Sequence, residues 1–219
     1  MPPESNASSE LFDEVGHDVA LGAGAAVLGG FARACSAELL AAVQVVSGVS
    51  AFRCMTVPGG RQMSVAMTNC GEVGWVSDRH GYRYDRIDPE TAAAWPTMPP
   101  VFRALAVRAA EVAGFPGFAP DACLVNRYEP GARLALHQDR DERDFAAPIV
   151  SVSLGLPATF LWGGDARAVR PRRLRLVHGD VVVWGGPARL TFHGVDPLRD
   201  GSHRDTGRTR YNLTFRKAR

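Results

Sequence analysis

The chain has 219 residues, is 46% hydrophobic and carries a formal net charge of +2 at pH 7. This supports a substantial core in one domain, and no apolar run reaches the length that spans a bilayer. Four cysteines (Cys35, Cys54, Cys70, Cys123) show neither a C-x-x-C step nor zinc-ribbon spacing, so they read as reduced, mostly buried thiols of a cytoplasmic protein.

In chain order, Met1 to Glu10 is polar and has no basic segment ahead of an apolar one, so it reads as a flexible tail over 1–15 and not as a secretory signal. Residues 16–120 read as helices and a flap. SAELLAAVQVVS at 36–47 has helical apolar spacing, with Ser36 as its N-cap. Over 49–98, Gly, Pro and aromatic residues punctuate short apolar stretches (VPGG, GEVGW, HGYRY). This predicts hairpins and loops, either a recognition flap or an ordinary loop-rich subdomain. Pro100 to Gly114 reads as an amphipathic helix with Phe102, Leu105, Ala106 and Ala109 inward and Gly114 at its end.

From Ala122 the pattern changes to strands at short intervals: CLVNRY, ARLALH, IVSVSL, ATFLW, RLRLVH, DVVVW, RLTFHG and RYNLTFR. Strands without intervening helices predict a mainly β (α+β) chain whose residues 121–219 form a double-stranded β-helix, or jelly roll. A basic excess gathers across residues 165–219, which carry 13 Lys+Arg against 5 Asp+Glu, whereas 1–164 carry 12 against 18. Such a segment attracts a polyanion or is a solvated arginine-rich surface.

Within the strand-rich part, His137 and Asp139 form an H-x-D step and His193 follows on a distant strand. Alternate residues of a strand point to one side. Two imidazoles and a carboxylate suit a non-haem Fe(II) site that leaves positions open for substrates. The step alone is weak: six His and fourteen Asp give about 0.4 chance matches. A second copy, His203-Arg204-Asp205, lies among Gly201, Ser202, Thr206 and Gly207 and reads as a polar loop. In RYNLTFR, Arg210, Asn212, Thr214 and Arg216 share one face, opposite Tyr211, Leu213 and Phe215. The polar face meets either water or a polar cavity, where arginines hold carboxylates.

LHQDRDE at 136–142, PIVSVSLGLPA at 148–158, HGDVVVWGG at 178–186 and RYNLTFR at 210–216 together resemble the AlkB family of Fe(II)/2-oxoglutarate-dependent nucleic-acid dealkylases, closest to its bacterial DNA-repair members. The resemblance extends upstream through MSVAMTNCG at 63–71, Gly74-Trp75, Gly81-Tyr82 and LVNRYEPGA at 124–132. It implies iron ligands His137, Asp139 and His193, and a 2-oxoglutarate site of Asn126, Tyr128, Arg210, Asn212 and Arg216. Arg210 would meet the distal carboxylate, and Arg216 would lie near the iron-chelating end. It further implies nucleotide contacts at Trp75, Tyr82, Arg83, Tyr84, Asp141 and Arg167, with Trp75 stacking on the base and Asp141 near its exocyclic amine. Thr56-Val57 stands exchanged relative to the family's V-T-P-G-G, Arg140 replaces a lysine, and Trp162 replaces another aromatic.

The implied activity is oxidative demethylation of bases of the 1-methyladenine and 3-methylcytosine type. The partner is single-stranded or locally opened DNA, with RNA as the alternative strand. Fe(II) is the cofactor, 2-oxoglutarate and O₂ are consumed, and succinate, CO₂ and formaldehyde are released. The expected state is a monomer with no membrane association. Two rivals are a hydroxylase of a protein or metabolite with the same iron chemistry, and a nucleic-acid-binding module without catalysis.

Overall fold

The computed structural model describes residues 13–14 and 18–219, so most of the tail expected over 1–15 lies outside the described residues. The strands are β1 Asp13–Glu14, β2 Val19–Gly22, β3 Ala25–Leu28, β4 Arg53–Thr56, β5 Gln62–Gly71, β6 Gly74–Asp78, β7 Gly81–Asp85, β8 Ala122–Tyr128, β9 Leu134–His137, β10 Ile149–Gly155, β11 Ala158–Trp162, β12 Arg172–Leu176, β13 Val181–Trp184, β14 His193–Val195 and β15 Arg210–Arg216. The helices are α1 Ser36–Val49 and α2 Pro100–Val112. No described helix is long and apolar enough to cross a membrane.

The architecture is a jelly-roll sandwich with helices on its outer face. An eight-stranded sheet runs β2-β3-β13-β10-β15-β8-β5-β4, and a five-stranded sheet runs β1-β12-β11-β14-β9. The large sheet takes strands from both sides of residue 120, so β2 to β5 extend the catalytic sheet. Among the described strands only β6 and β7 stand apart, as an antiparallel hairpin.

Strand alternation explains the layers. On β10, Val150, Val152 and Leu154 join Leu213 and Phe215 of β15 in a core beneath α1 and α2. The helices meet it with Leu39, Val43 and Val46 of α1 and Phe102, Leu105 and Ala109 of α2, spaced three and four apart as one helical face requires. Ile149, Val182 and Trp184 turn the other way and pack with Phe160, Leu174 and Val195 of the small sheet. The polar residues of β15, Arg210, Asn212, Thr214 and Arg216, are buried, so their face does not meet solvent.

Two local expectations differ. Ser36 is not a cap: it follows a 3₁₀ turn at Arg33–Cys35, and its hydroxyl donates back to the Arg33 carbonyl at 3.0 Å. RLTFHG is a strand only from His193 onward. A 3₁₀ turn at Gly186–Ala188 leads in, and the Thr191 amide closes on the Ala188 carbonyl at 2.9 Å, a turn that buries Arg189. The 49–98 segment forms hairpins as expected, β4 with β5 and β6 with β7, and Ala66 to Gly71 of β5 also pair with β8, which no local pattern announces. Gly114 behaves as expected, ending α2 at φ +87°.

Candidate active site

His137 ends β9 and His193 begins β14, and the antiparallel register places them opposite each other. Gly194 permits this approach: a Cβ there would lie 2.7 Å from the Leu134 carbonyl oxygen. The two rings are 4.4 Å apart. Their Nδ1 atoms face backbone carbonyls, His137 on Ala135 at 2.9 Å and His193 on Thr191 at 3.0 Å. An Nδ1–H bonded to a carbonyl leaves the Nε2 lone pair for a metal. Both Nε2 atoms converge on Asp139, at 3.6 Å from Oδ1 for His137 and 3.8 Å from Oδ2 for His193. The three ligand atoms lie within 4.8 Å of one another.

Burial alone would raise the Asp139 carboxyl, but Arg216, then His193 and His137, outweigh it and hold it well below the usual carboxylate range. Burial, reinforced by His137 and opposed by Asp139, pushes His193 down to about 4, so it is neutral at physiological pH. Neutral imidazoles and an ionised carboxylate are the states a divalent cation requires. Arg216 donates through Nη2 and Nε to Asp139 Oδ2, at 2.6 and 3.0 Å.

The buried polar face of β15 runs from Arg216 to Arg210. Arg210 is 1% exposed, yet its Nε and Nη1 have no hydrogen-bond partner. Its Nη2 donates to Ser153 Oγ at 3.0 Å, and its guanidinium lies 4.9 Å from the Tyr128 ring centre. Burial pushes the Tyr128 phenol up to about 12 despite the adjacent Arg210, so it remains a donor. Asn126 donates to Asn212, which donates in turn to Ser151 Oγ at 2.8 Å. A buried guanidinium with two vacant donors is costly unless an anion arrives. These donors therefore suit a carboxylate at Arg210 and a metal at the His–Asp–His group, as a 2-oxoacid chelate demands.

The hairpin covers the metal end. Trp75 Nε1 donates to Asp141 Oδ2 at 2.8 Å, and its ring stacks on Tyr82 at 5.6 Å with planes 12° apart. Tyr84 donates to Glu142 at 2.6 Å. Arg167 lies with its guanidinium 5.6 Å from the ring of Phe192, next to His193. Arg83 departs from the expected set. It pairs opposite Val76, so alternation turns it to the hairpin face away from Trp75, Tyr82 and Tyr84, where it binds Asp78 at 2.9 Å. The exchanged Thr56 accepts a bond from Ser77 through its carbonyl at 2.8 Å, a contact indifferent to the side chain.

Sequence reasoning missed Ser151, Ser153, Glu142 and Arg189. The two serines were detectable, since IVSVSL alternates small polar residues on one face. Glu142 and Arg189 gave no such signal. Glu142 accepts from Tyr84 and Arg189 and lies 3.3 Å from Arg216, with its side chain 2% exposed. Arg189 also donates to the Asp139 carbonyl at 2.6 Å. This buried pair ties the hairpin to the loop that carries Asp139.

A jelly roll that carries a His–Asp–His triad and a buried arginine with two unpaired nitrogens defines a 2OG-Fe(II) oxygenase, and residues 24–216 match that superfamily. Within it, the chain belongs to the AlkB family. It is 57% identical over 198 residues to the alpha-ketoglutarate-dependent dioxygenase AlkB of Escherichia coli (strain K12), covering 90% of this chain and 92% of that one. A relative in Arabidopsis thaliana, the DNA N(6)-methyladenine demethylase ALKBH1D, is 41% identical over 114 residues, 46% of this chain and 25% of that protein. The solved structure of OsALKBH1 superposes with a TM-score of 0.76 at 28% identity, covering 89% of this chain and 96% of that one.

Proposed function

We propose that this dioxygenase demethylates N-alkylated bases of the 1-methyladenine and 3-methylcytosine type in DNA, with RNA as a second strand type. The observation that carries the reading is the Trp75–Asp141 bond. It sets an aromatic face and a carboxylate two residues from the metal ligand Asp139.

His137, Asp139 and His193 would hold Fe(II). Arg210 would take the distal carboxylate of 2-oxoglutarate with Tyr128, while Asn126, Asn212 and Arg216 line the path to the metal. When bound, iron with 2-oxoglutarate and O₂ supplies the oxidising power that hydroxylates the N-methyl carbon, with succinate, CO₂ and finally formaldehyde released. The protein's part is positioning. A methyl on the pairing edge is inaccessible in a duplex, so the base is extruded, at lower cost when the lesion already prevents pairing. Trp75 and Tyr82 offer ring faces on which that base stacks. The charge of Asp141 and the ring face of Trp75 favour a cationic methylated base over its neutral parent. Arg216 keeps Asp139 Oδ2 occupied, which orients the ligand carboxylate toward the two imidazoles.

We propose that the enzyme acts as a monomer, since the triad, Arg210 and the Trp75–Asp141 pair assemble within a single fold. The four cysteines, unpaired in the structure, support a reducing, cytoplasmic setting. The test is anaerobic loading with Fe(II) and 2-oxoglutarate, then O₂ with an oligonucleotide containing 3-methylcytosine. Formaldehyde and a strand lighter by one methylene are expected. Succinate without formaldehyde would instead indicate a hydroxylase of another substrate.

A further inference from the structure

The second H-x-D copy is not an isolated loop. Its His203 stacks on His178 of the HGDVVVWGG segment, ring centres 4.5 Å apart and planes 20° apart. Together with Asp205 they resemble the iron triad in composition, and their ligand atoms also lie within 4.8 Å of one another. Hydrogen bonding gives them the opposite chemistry. In the iron triad both Nδ1 atoms face carbonyl oxygens. Here both face backbone N–H groups: the Gly155 amide donates to His178 Nδ1 at 3.0 Å, and the Asp205 amide donates to His203 Nδ1 at 3.2 Å. A neutral imidazole that accepts at Nδ1 carries its proton on Nε2. The pair therefore presents two N–H donors where the iron triad presents two lone pairs.

The surroundings carry two guanidinium groups and one carboxylate. The two rings line a cavity of about 300 Å³ with Arg33, Ser36, Val177 and Arg204. The cluster's carboxylate, Asp205, is already bound by Arg204 Nε at 3.3 Å. Burial, then His203, lowers the His178 pKa against the opposing charge of Asp205, with Arg204 and Arg33 adding smaller effects. Two guanidinium groups against one carboxylate, around a concavity lined by N–H donors, make an anion site and not a cation site. The cavity is separate from the iron triad. Gly155 stands opposite Arg210 in register, and Arg33 and Ser36 place the cavity on the helix side of the large sheet, with no residue shared with the triad.

We propose that His178, His203, Arg33 and Arg204 form a binding site for a phosphate group, three of them from the basic stretch that begins near residue 165. The phosphate is either a free anion or a phosphodiester of a bound strand.

The full chain is titrated with inorganic phosphate and followed by calorimetry and by the imidazole ¹⁵N resonances. Saturable binding that shifts the His178 and His203 signals is expected. His203→Ala combined with Arg204→Ala should weaken it by about tenfold or more, whereas His203→Gln, which retains an N–H donor, should stay within about threefold. Unsaturable binding, or unchanged binding in the double variant, overturns the proposal. So does a second equivalent of Zn(II) per chain that His203→Ala removes, since it would assign the pair to a metal. An unmodified single-stranded oligonucleotide separates the sources. Displacement of phosphate, with a salt slope lowered by about one in the double variant, assigns the group to a strand. Simultaneous binding of both assigns it to a free anion, and either result upholds the site. None of these readings requires turnover, so failure of the dealkylation assay leaves them intact.

Discussion

Replacing Arg210 separates cosubstrate binding from folding. The guanidinium is 1% exposed and holds two nitrogens without partners. If both bond the distal carboxylate of 2-oxoglutarate, at ~1.5–3 kcal/mol for each bond to a charged group, Arg210→Met removes about 3–6 kcal/mol of binding. That corresponds to roughly 10²–10⁴-fold weaker affinity. The apoprotein should respond differently. The variant loses one bond to Ser153, but it also removes a buried cation that lacks a counter-ion, so unfolding free energy should move by less than about 2 kcal/mol in either direction. The assay is anaerobic calorimetry of 2-oxoglutarate with Mn(II) in place of Fe(II), beside thermal melts with and without cosubstrate. At about 100 times its Kd the cosubstrate stabilises wild type by ~2.7 kcal/mol, and that increment should vanish at the same concentration in Arg210→Met. Arg210→Lys, a point charge without the planar fork, should fall between the two. Unchanged affinity in Arg210→Met, or an apoprotein destabilised as severely as by breaking a buried ion pair, would refute the assignment.

Asp141→Ala should depress repair of cationic lesions more than uncoupled 2-oxoglutarate turnover; equal losses of formaldehyde and succinate would contradict its substrate role. Glu142→Gln leaves Arg189 and Arg216 short of a carboxylate in a buried site, so a loss of about 3–5 kcal/mol is expected in denaturant unfolding, and a change below about 1 kcal/mol would show the network to be dispensable. Asp88 gives the pH test. Burial opposes its ionisation, but bonds from Arg53, the Glu90 amide and Ser50 outweigh it and lower its pKa. A folded pKa below the unfolded one gives stability that is complete above about pH 4 and is lost as pH falls through the folded value. Asp88→Asn should therefore cost about 2–3 kcal/mol at pH 7 and flatten the melting curve against pH below 4, so parallel acid limbs in the two proteins would count against it.

Much of this molecule is legible in one dimension. Short β-patterned runs from Ala122 onward and the 3.6-residue spacing of α1 and α2 follow from local periodicity, which is a property of neighbours in the chain; the H-x-D step is legible by residue type, since β9 ends at His137 and Asp139 lies on the loop beyond it. The roles of Arg210 and Arg216 are half legible: alternation puts them on one face of β15, but only the second sheet makes that face an interior. What remained hidden depends on partners distant in sequence. β5 is a sheet strand because β8 lies beside it, Glu142 is buried because Arg189 and Tyr84 arrive from elsewhere, and Arg83 turns away because of its register on β6. The two H-x-D steps show the division most plainly. Residue type and spacing make them alike. Their difference lies in whether Nδ1 meets a carbonyl or an amide, and folding alone chooses which backbone group each imidazole faces.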